Sequence, residues 1–80
     1  MLDSYSYMPF PSDKEIKIQL MRKVYSEFSD LDIGFIETIV DAHVNIMDKN
    51  GSYTLWCKVI EPELYKNIKT EIQIRLGGGR

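Results

Sequence analysis

The sequence predicts a small all-α fold, and three observations carry that prediction. Two capped helix starts, at Ser12 and at Asp32, each lead an apolar stripe with three- and four-residue spacing. A third stripe follows Glu61-Pro62-Glu63, an opening that places proline and acid in the first turn of a helix.

Residues 1–11 contain Pro9 and Pro11, with Tyr5 and Tyr7 between, and show no helical period. They read as a flexible, extended N-terminal arm. Leu2, Tyr5, Tyr7, Met8 and Phe10 make it more apolar than a plain linker, so the arm is also a candidate contact surface.

Ser12-Asp13-Lys14-Glu15 is a capping box, in which the serine hydroxyl and the glutamate carboxylate each take up an orphan backbone N–H. Ile16, Leu20, Val24 and Phe28 then recur at every fourth residue, with Met21 and Tyr25 beside them, which predicts a helix over about 13–29. Lys23 and Glu27 lie one turn apart on its polar side. Ser29-Asp30-Leu31-Asp32 breaks the pattern, Asp32 acts as N-cap, and Leu31 with Ile36 forms a hydrophobic staple. A second helix over about 33–48 carries Phe35, Ile36, Ile39, Val40, His43, Val44 and Met47 on a wide apolar face. Asp48-Lys49-Asn50-Gly51 ends it with turn residues and a glycine suited to positive φ. The Asn50-Gly51-Ser52 sequon is read as part of this turn.

Residues 52–60 admit two readings. The β-branched and aromatic residues after Asn-Gly argue for a strand, which propensity alone favours slightly. Ser52 could equally cap a short helix with Leu55, Trp56, Val59 and Ile60 on one side. From Pro62, Leu64, Ile68, Ile72 and Leu76 step by fours to the glycines at 77–79, giving a helix over about 62–76. Residues 12–76 thus form one helical domain and 77–80 a flexible tail.

The eighty residues hold twelve acidic and ten basic side chains, one cysteine and one histidine. Neither charge forms a block, so direct nucleic-acid binding is not expected. A lone Cys57 excludes an internal disulfide, and one cysteine with one histidine does not make a tetrahedral metal site. No cofactor is expected. No apolar run reaches the roughly 18 residues that span a bilayer, and no signal peptide opens the sequence, which fits a cytoplasmic setting. A domain this short buries only roughly 60% of its unfolded surface, so a partner is the natural source of added stability.

Candidate chemistry is sparse. His43 lacks an orienting carboxylate nearby in sequence and is read as a partly buried helix residue; Cys57 is read as a small buried hydrophobe. Asp30-x-Asp32 and Asp48-x-Asn50-x-Ser52 begin like calcium loops but lack the glycine and glutamate that complete one. Arg75-Leu76-Gly77-Gly78-Gly79-Arg80 resembles the conjugation tail of ubiquitin-like modifiers only superficially, because those modifiers open with a β-hairpin. The expectation is a binding module rather than an enzyme. Trp56 is first a core anchor and second an interface hot spot.

From Met21 to Glu71 the order of features resembles the late-transcription coactivators of T-even-type tailed phages and cyanophages. Gly34-Phe35-Ile36-Glu37-Thr38-Ile39-Val40 and the block Cys57-Lys58-Val59-Ile60-Glu61-Pro62-Glu63-Leu64-Tyr65-Lys66-Asn67-Ile68-Lys69-Thr70-Glu71 carry the resemblance. It implies that 52–60 is a short helix, making a bundle of about four. It also implies a groove for the flap-tip helix of the host RNA polymerase β subunit, occupied in place of a σ C-terminal domain. Further implied partners are the phage sliding clamp and a σ-like phage factor, in the cytoplasm of an infected bacterium. Phe35, Ile36, Ile39, Val40, Leu55, Trp56, Val59, Ile60 and Tyr65 are the expected lining of core and groove together, with Lys58 and Glu61 on the rim. The family holds its clamp through an acidic-hydrophobic C-terminal motif, which Ile74–Arg80 does not reproduce. A clamp contact would then fall to Leu2, Asp3, Tyr5 and Phe10 of the arm. An RNA polymerase inhibitor using the same surface is an alternative. Phe28-Ser29-Asp30-Leu31-Asp32 with Ile36, Ile39, Val40 and Ala42 is also similar to the first two helices of CUE-type ubiquitin-binding domains.

Overall fold

The computed structural model describes residues 10–77, and within them every regular element is helical. Helix α1 (Asp13–Glu27) begins with the expected capping box: Ser12 Oγ accepts the Glu15 N–H at 3.2 Å, and the Ser12 N–H donates to Glu15 Oε1 at 3.2 Å. Its stripe buries Ile16, Leu20 and Val24. The helix stops two residues earlier than the spacing predicts, because Phe28 leaves the helical region (φ −123°, ψ 48°) while its N–H still donates to Val24 O.

Asp32 caps α2 (Ile33–Ile46), its carboxylate accepting the Phe35 N–H at 3.0 Å. Ile36, Ile39, Val40 and Val44 are buried. Met47 is extended, so this helix also ends short of its predicted boundary. The turn that follows needs its glycine. Gly51 sits at φ 117°, and a Cβ there would lie 2.6 Å from Leu55 Cδ2. A larger residue at 51 is excluded both by backbone conformation and by space.

The segment after Ser52 is helical, which removes the strand reading. Ser52 Oγ accepts the Leu55 N–H at 3.1 Å and starts α3 (Tyr53–Leu55). A π-helical stretch, Trp56–Ile60, leads directly into α4 (Glu61–Arg75). Leu55, Trp56, Ile60 and Glu61 all have right-handed helical dihedrals, so the chain runs from 53 to 75 without a break. The two helices expected at 52–60 and 62–76 are therefore one rod, and the fold has three helical bodies rather than about four.

Pro62 explains the local widening. Inside an ordinary α-helix its ring would press on the Lys58 carbonyl, and it has no N–H to donate there. The π turn relieves this: the Glu61 N–H reaches back five residues to Trp56 O. The sequence signal read as a helix start is a bulge inside a helix that had already begun.

Eleven apolar side chains are buried among the described residues, drawn from all three bodies. Trp56 is the largest and is fully buried. Full burial of such side chains contributes about 1.5–3 kcal/mol each. Contacts advance in step along α1 and the rod: Gln19 meets Trp56, Lys23 meets Glu61, and Glu27 meets Tyr65 and Lys69. The two elements therefore run in the same direction, and α2 returns between their ends. Lys17 links α1 to α2 through Glu37 at 2.9 Å and Asp41 at 3.1 Å.

Candidate functional site

The π turn sets the geometry of the region with most functional potential. By inserting an extra residue into the turn, it aims Trp56 into the core and brings Cys57 and Glu61 to the α1 side. An open cleft of about 350 Å³ lies there, lined by Gln19, Arg22, Lys23, Trp56, Cys57 and Glu61. The indole N–H of Trp56 donates to Gln19 Oε1 at 3.2 Å, which satisfies its one polar atom. On its other side the ring of Phe10 stands edge-on to the indole, with centroids 5.8 Å apart and planes at 69°.

Beyond the cleft, charge and aromaticity are knotted together. Lys23 Nζ lies 2.8 Å from Glu61 Oε2 and 4.6 Å from the centre of the Tyr65 ring; Lys69 Nζ lies 4.7 Å from the same centre. The Tyr65 hydroxyl donates to Glu27 Oε1 at 2.6 Å. Burial, then the adjacent Glu27 carboxylate, push the phenol up to about 12. Glu27 is held below the usual carboxylate range by that hydrogen bond and by Lys69. Two ammonium groups over one ring face fit the quadrupole of an aromatic that stays neutral.

The residues expected to line core and groove together are separated by the structure. Ile36, Ile39, Val40 and Trp56 are buried in the core. Phe35, Ile60 and Tyr65 are half-buried and packed against it. Leu55 and Val59 face outward at 40% and 57% exposure. Of the arm residues, Phe10 is half-buried on Trp56; Leu2, Asp3 and Tyr5 lie outside the described residues.

Three expectations need correction. Glu61, expected on a rim, is buried and neutralised by Lys23, because the π turn swings it toward α1. Cys57, expected to be buried, is an exposed free thiol on the cleft wall, displaced by the same extra residue. His43 does have a carboxylate partner, supplied by α4: its Nε2 lies 2.7 Å from Glu71 Oε1, while Arg75 holds the other carboxylate oxygen at 2.7 Å. That contact spans 28 positions, and sequence neighbours could not reveal it.

Sequence reasoning also passed over Gln19 and Arg22, since nothing marks one polar residue of α1 as facing a cleft. Ile33 and Ile46, counted with the apolar periodicity of α2, emerge at its two ends at 56% and 82% exposure. Among the described residues no three His, Cys, Asp or Glu side chains converge as a metal site, and no helix is long and apolar enough to cross a membrane. No protein-family model, curated protein or solved structure matches this sequence.

Proposed function

We propose that this chain is a non-catalytic binding module for a helix of a larger protein, and that its partner is the flap-tip helix of a bacterial RNA polymerase β subunit. The observation that carries the reading is the pair Leu55 and Val59. They lie four residues apart on one flank of the rod, so they are neighbours, and both are left outside the core. Aliphatic anchors at this spacing are what a helix-in-groove contact uses. Exposed Lys58 and Glu63 flank them and supply rim charge. The polymerase assignment draws on the resemblance of the Gly34–Val40 and Cys57–Glu71 blocks to phage late-transcription coactivators. In that reading the module acts in the cytoplasm of an infected bacterium, in the place of a σ C-terminal domain. Contacts to a sliding clamp and a σ-like factor would belong to the same role.

The test is capture of RNA polymerase from bacterial lysate by the tagged chain, compared with Val59→Glu. Val59 is exposed, so the variant keeps its helical circular dichroism while a charge lands in the contact. Capture by the parent chain and its loss in the variant support the reading. A folded parent chain that captures no polymerase overturns it. Transcription from a late-type promoter in a purified system then separates an activator from an inhibitor, since the two would share this surface.

A further inference from the structure

We propose that Phe10 is an internal occupant of an aromatic-binding seat on Trp56, and that the ring of a partner side chain with an acidic neighbour displaces it. The inference deepens the binding-module reading and rests on it. Three features carry it. Phe10 lies outside the helical body, two residues before the capping box, and reaches Trp56 only as an edge-on ring. An edge-to-face contact has a preferred geometry but no covalent or charged partner, so another aromatic ring reproduces it in full. The seat is also continuous with open space: Trp56 forms part of the wall of the 350 Å³ cleft, so a ring arriving from outside has room beside the one it replaces.

Charge specifies the newcomer further. Lys23 on the cleft wall is already paired with Glu61, whereas Arg22 beside it pairs with no carboxylate among the described residues. A free guanidinium at the rim of an aromatic seat favours a ring flanked by a carboxylate, which the planar fork of arginine grips in two places. Phe10 itself is flanked by Pro9 and Pro11 and offers no such charge. It therefore fills the seat without satisfying its rim, and an aromatic–acidic pair is the better ligand.

The single tryptophan makes the idea directly testable. In the full chain, Phe10→Ala should increase acrylamide quenching of Trp56 severalfold while helical circular dichroism and cooperative unfolding persist. Unchanged quenching overturns the proposal, because Phe10 would then not cover the indole. Should the alanine variant fail to fold, Phe10→Leu keeps apolar bulk, removes the ring and gives the same readout. The second arm follows the Trp56 indole N–H resonance during titration with acetyl-Asp-Phe-amide. Binding severalfold tighter to the Phe10 variant than to the parent chain, and weaker for acetyl-Asn-Phe-amide, supports displacement by an aromatic–acidic pair. Equal affinity for both proteins, or no shift in the variant, overturns it. Neither arm uses polymerase, so failure of polymerase capture strikes the partner assignment and leaves this test standing.

Discussion

Tyr65 donates its phenolic hydrogen to Glu27 at 2.6 Å across the α1–α4 seam, beneath two lysine ammoniums. The arrangement needs a neutral phenol and an ionised carboxylate at once. The raised phenol favours the neutral form in the folded chain, so its contribution is complete below the unfolded tyrosine value of about 10. It is then lost as pH climbs toward the folded value of about 12. Tyr65→Phe should lower stability by about 1 kcal/mol at neutral pH, the worth of one hydrogen bond to a partly exposed charged group. Chemical denaturation at pH 7 and pH 11 checks this. The gap between parent and variant should narrow at the higher pH, and a gap independent of pH would mean that packing, not the hydrogen bond, carries the difference.

The second clasp is acidic in its pH dependence. Glu71 is held below its ordinary 4.5 first by the hydrogen bond to His43 and then by Arg75. A depressed carboxylate contributes stability above its unfolded value and loses it as pH falls through the folded one. Glu71→Gln should therefore destabilise the chain by about 1 kcal/mol at neutral pH, where the parent carboxylate is charged and doubly bound. Thermal melts from pH 7 downward should converge below pH 4.5, as the parent also becomes protonated. Melts that stay parallel through that range would show that the carboxylate charge is not what joins α2 to α4.

How far the sequence foretells this molecule depends on whether a signal is local. The capping box at Ser12, the N-cap at Asp32 and the glycine turn at Gly51 were legible because each acts within a few residues. So were the buried stripes Ile16-Leu20-Val24 and Leu64-Ile68-Ile72, which follow a regular helical period. The π turn broke that regularity. One extra residue between Trp56 and Glu61 rotates everything before it, so an α-helical wheel gives the wrong side for both Cys57 and Glu61. The cleft and the His43–Glu71 contact depend on how separate helices meet, and no spacing within one helix encodes that. Leu55 and Val59 were singled out from sequence, but only the fold separates them from the core residues named with them.

That separation changes what a tryptophan substitution means. Trp56 is fully buried, so Trp56→Ala opens a cavity that costs about 3–5 kcal/mol. A small domain has only about 5–15 kcal/mol to lose at best, and a short one sits at the low end. The alanine variant should show weak, non-cooperative unfolding, and any lost partner binding would then report on folding. Trp56→Phe should keep cooperative unfolding with a smaller loss, because the ring still fills most of the space although Gln19 loses its donor. Urea titrations followed by circular dichroism discriminate the two. A Trp56→Ala chain as stable as the parent would contradict the burial of this side chain.

Pro62 offers the sharpest test of why the helix widens. Pro62→Ala restores an N–H that could donate to the Lys58 carbonyl and removes the ring that opposes it. Two outcomes then compete. Regularising the turn to an α-helix gains a hydrogen bond worth about 1 kcal/mol. It also rotates the upstream segment by about 100°, the angle of one residue in an α-helix, and turns Trp56 away from the core. Withdrawing that indole costs about 3 kcal/mol or more, so the core wins and the π turn should persist in the variant. The expected result is a stability change within about 1 kcal/mol, with the emission maximum of Trp56 unmoved. A red shift of that emission would show that proline, rather than the buried indole, holds the turn open. The Glu61 N–H bond to Trp56 O would then be a consequence of Pro62 alone.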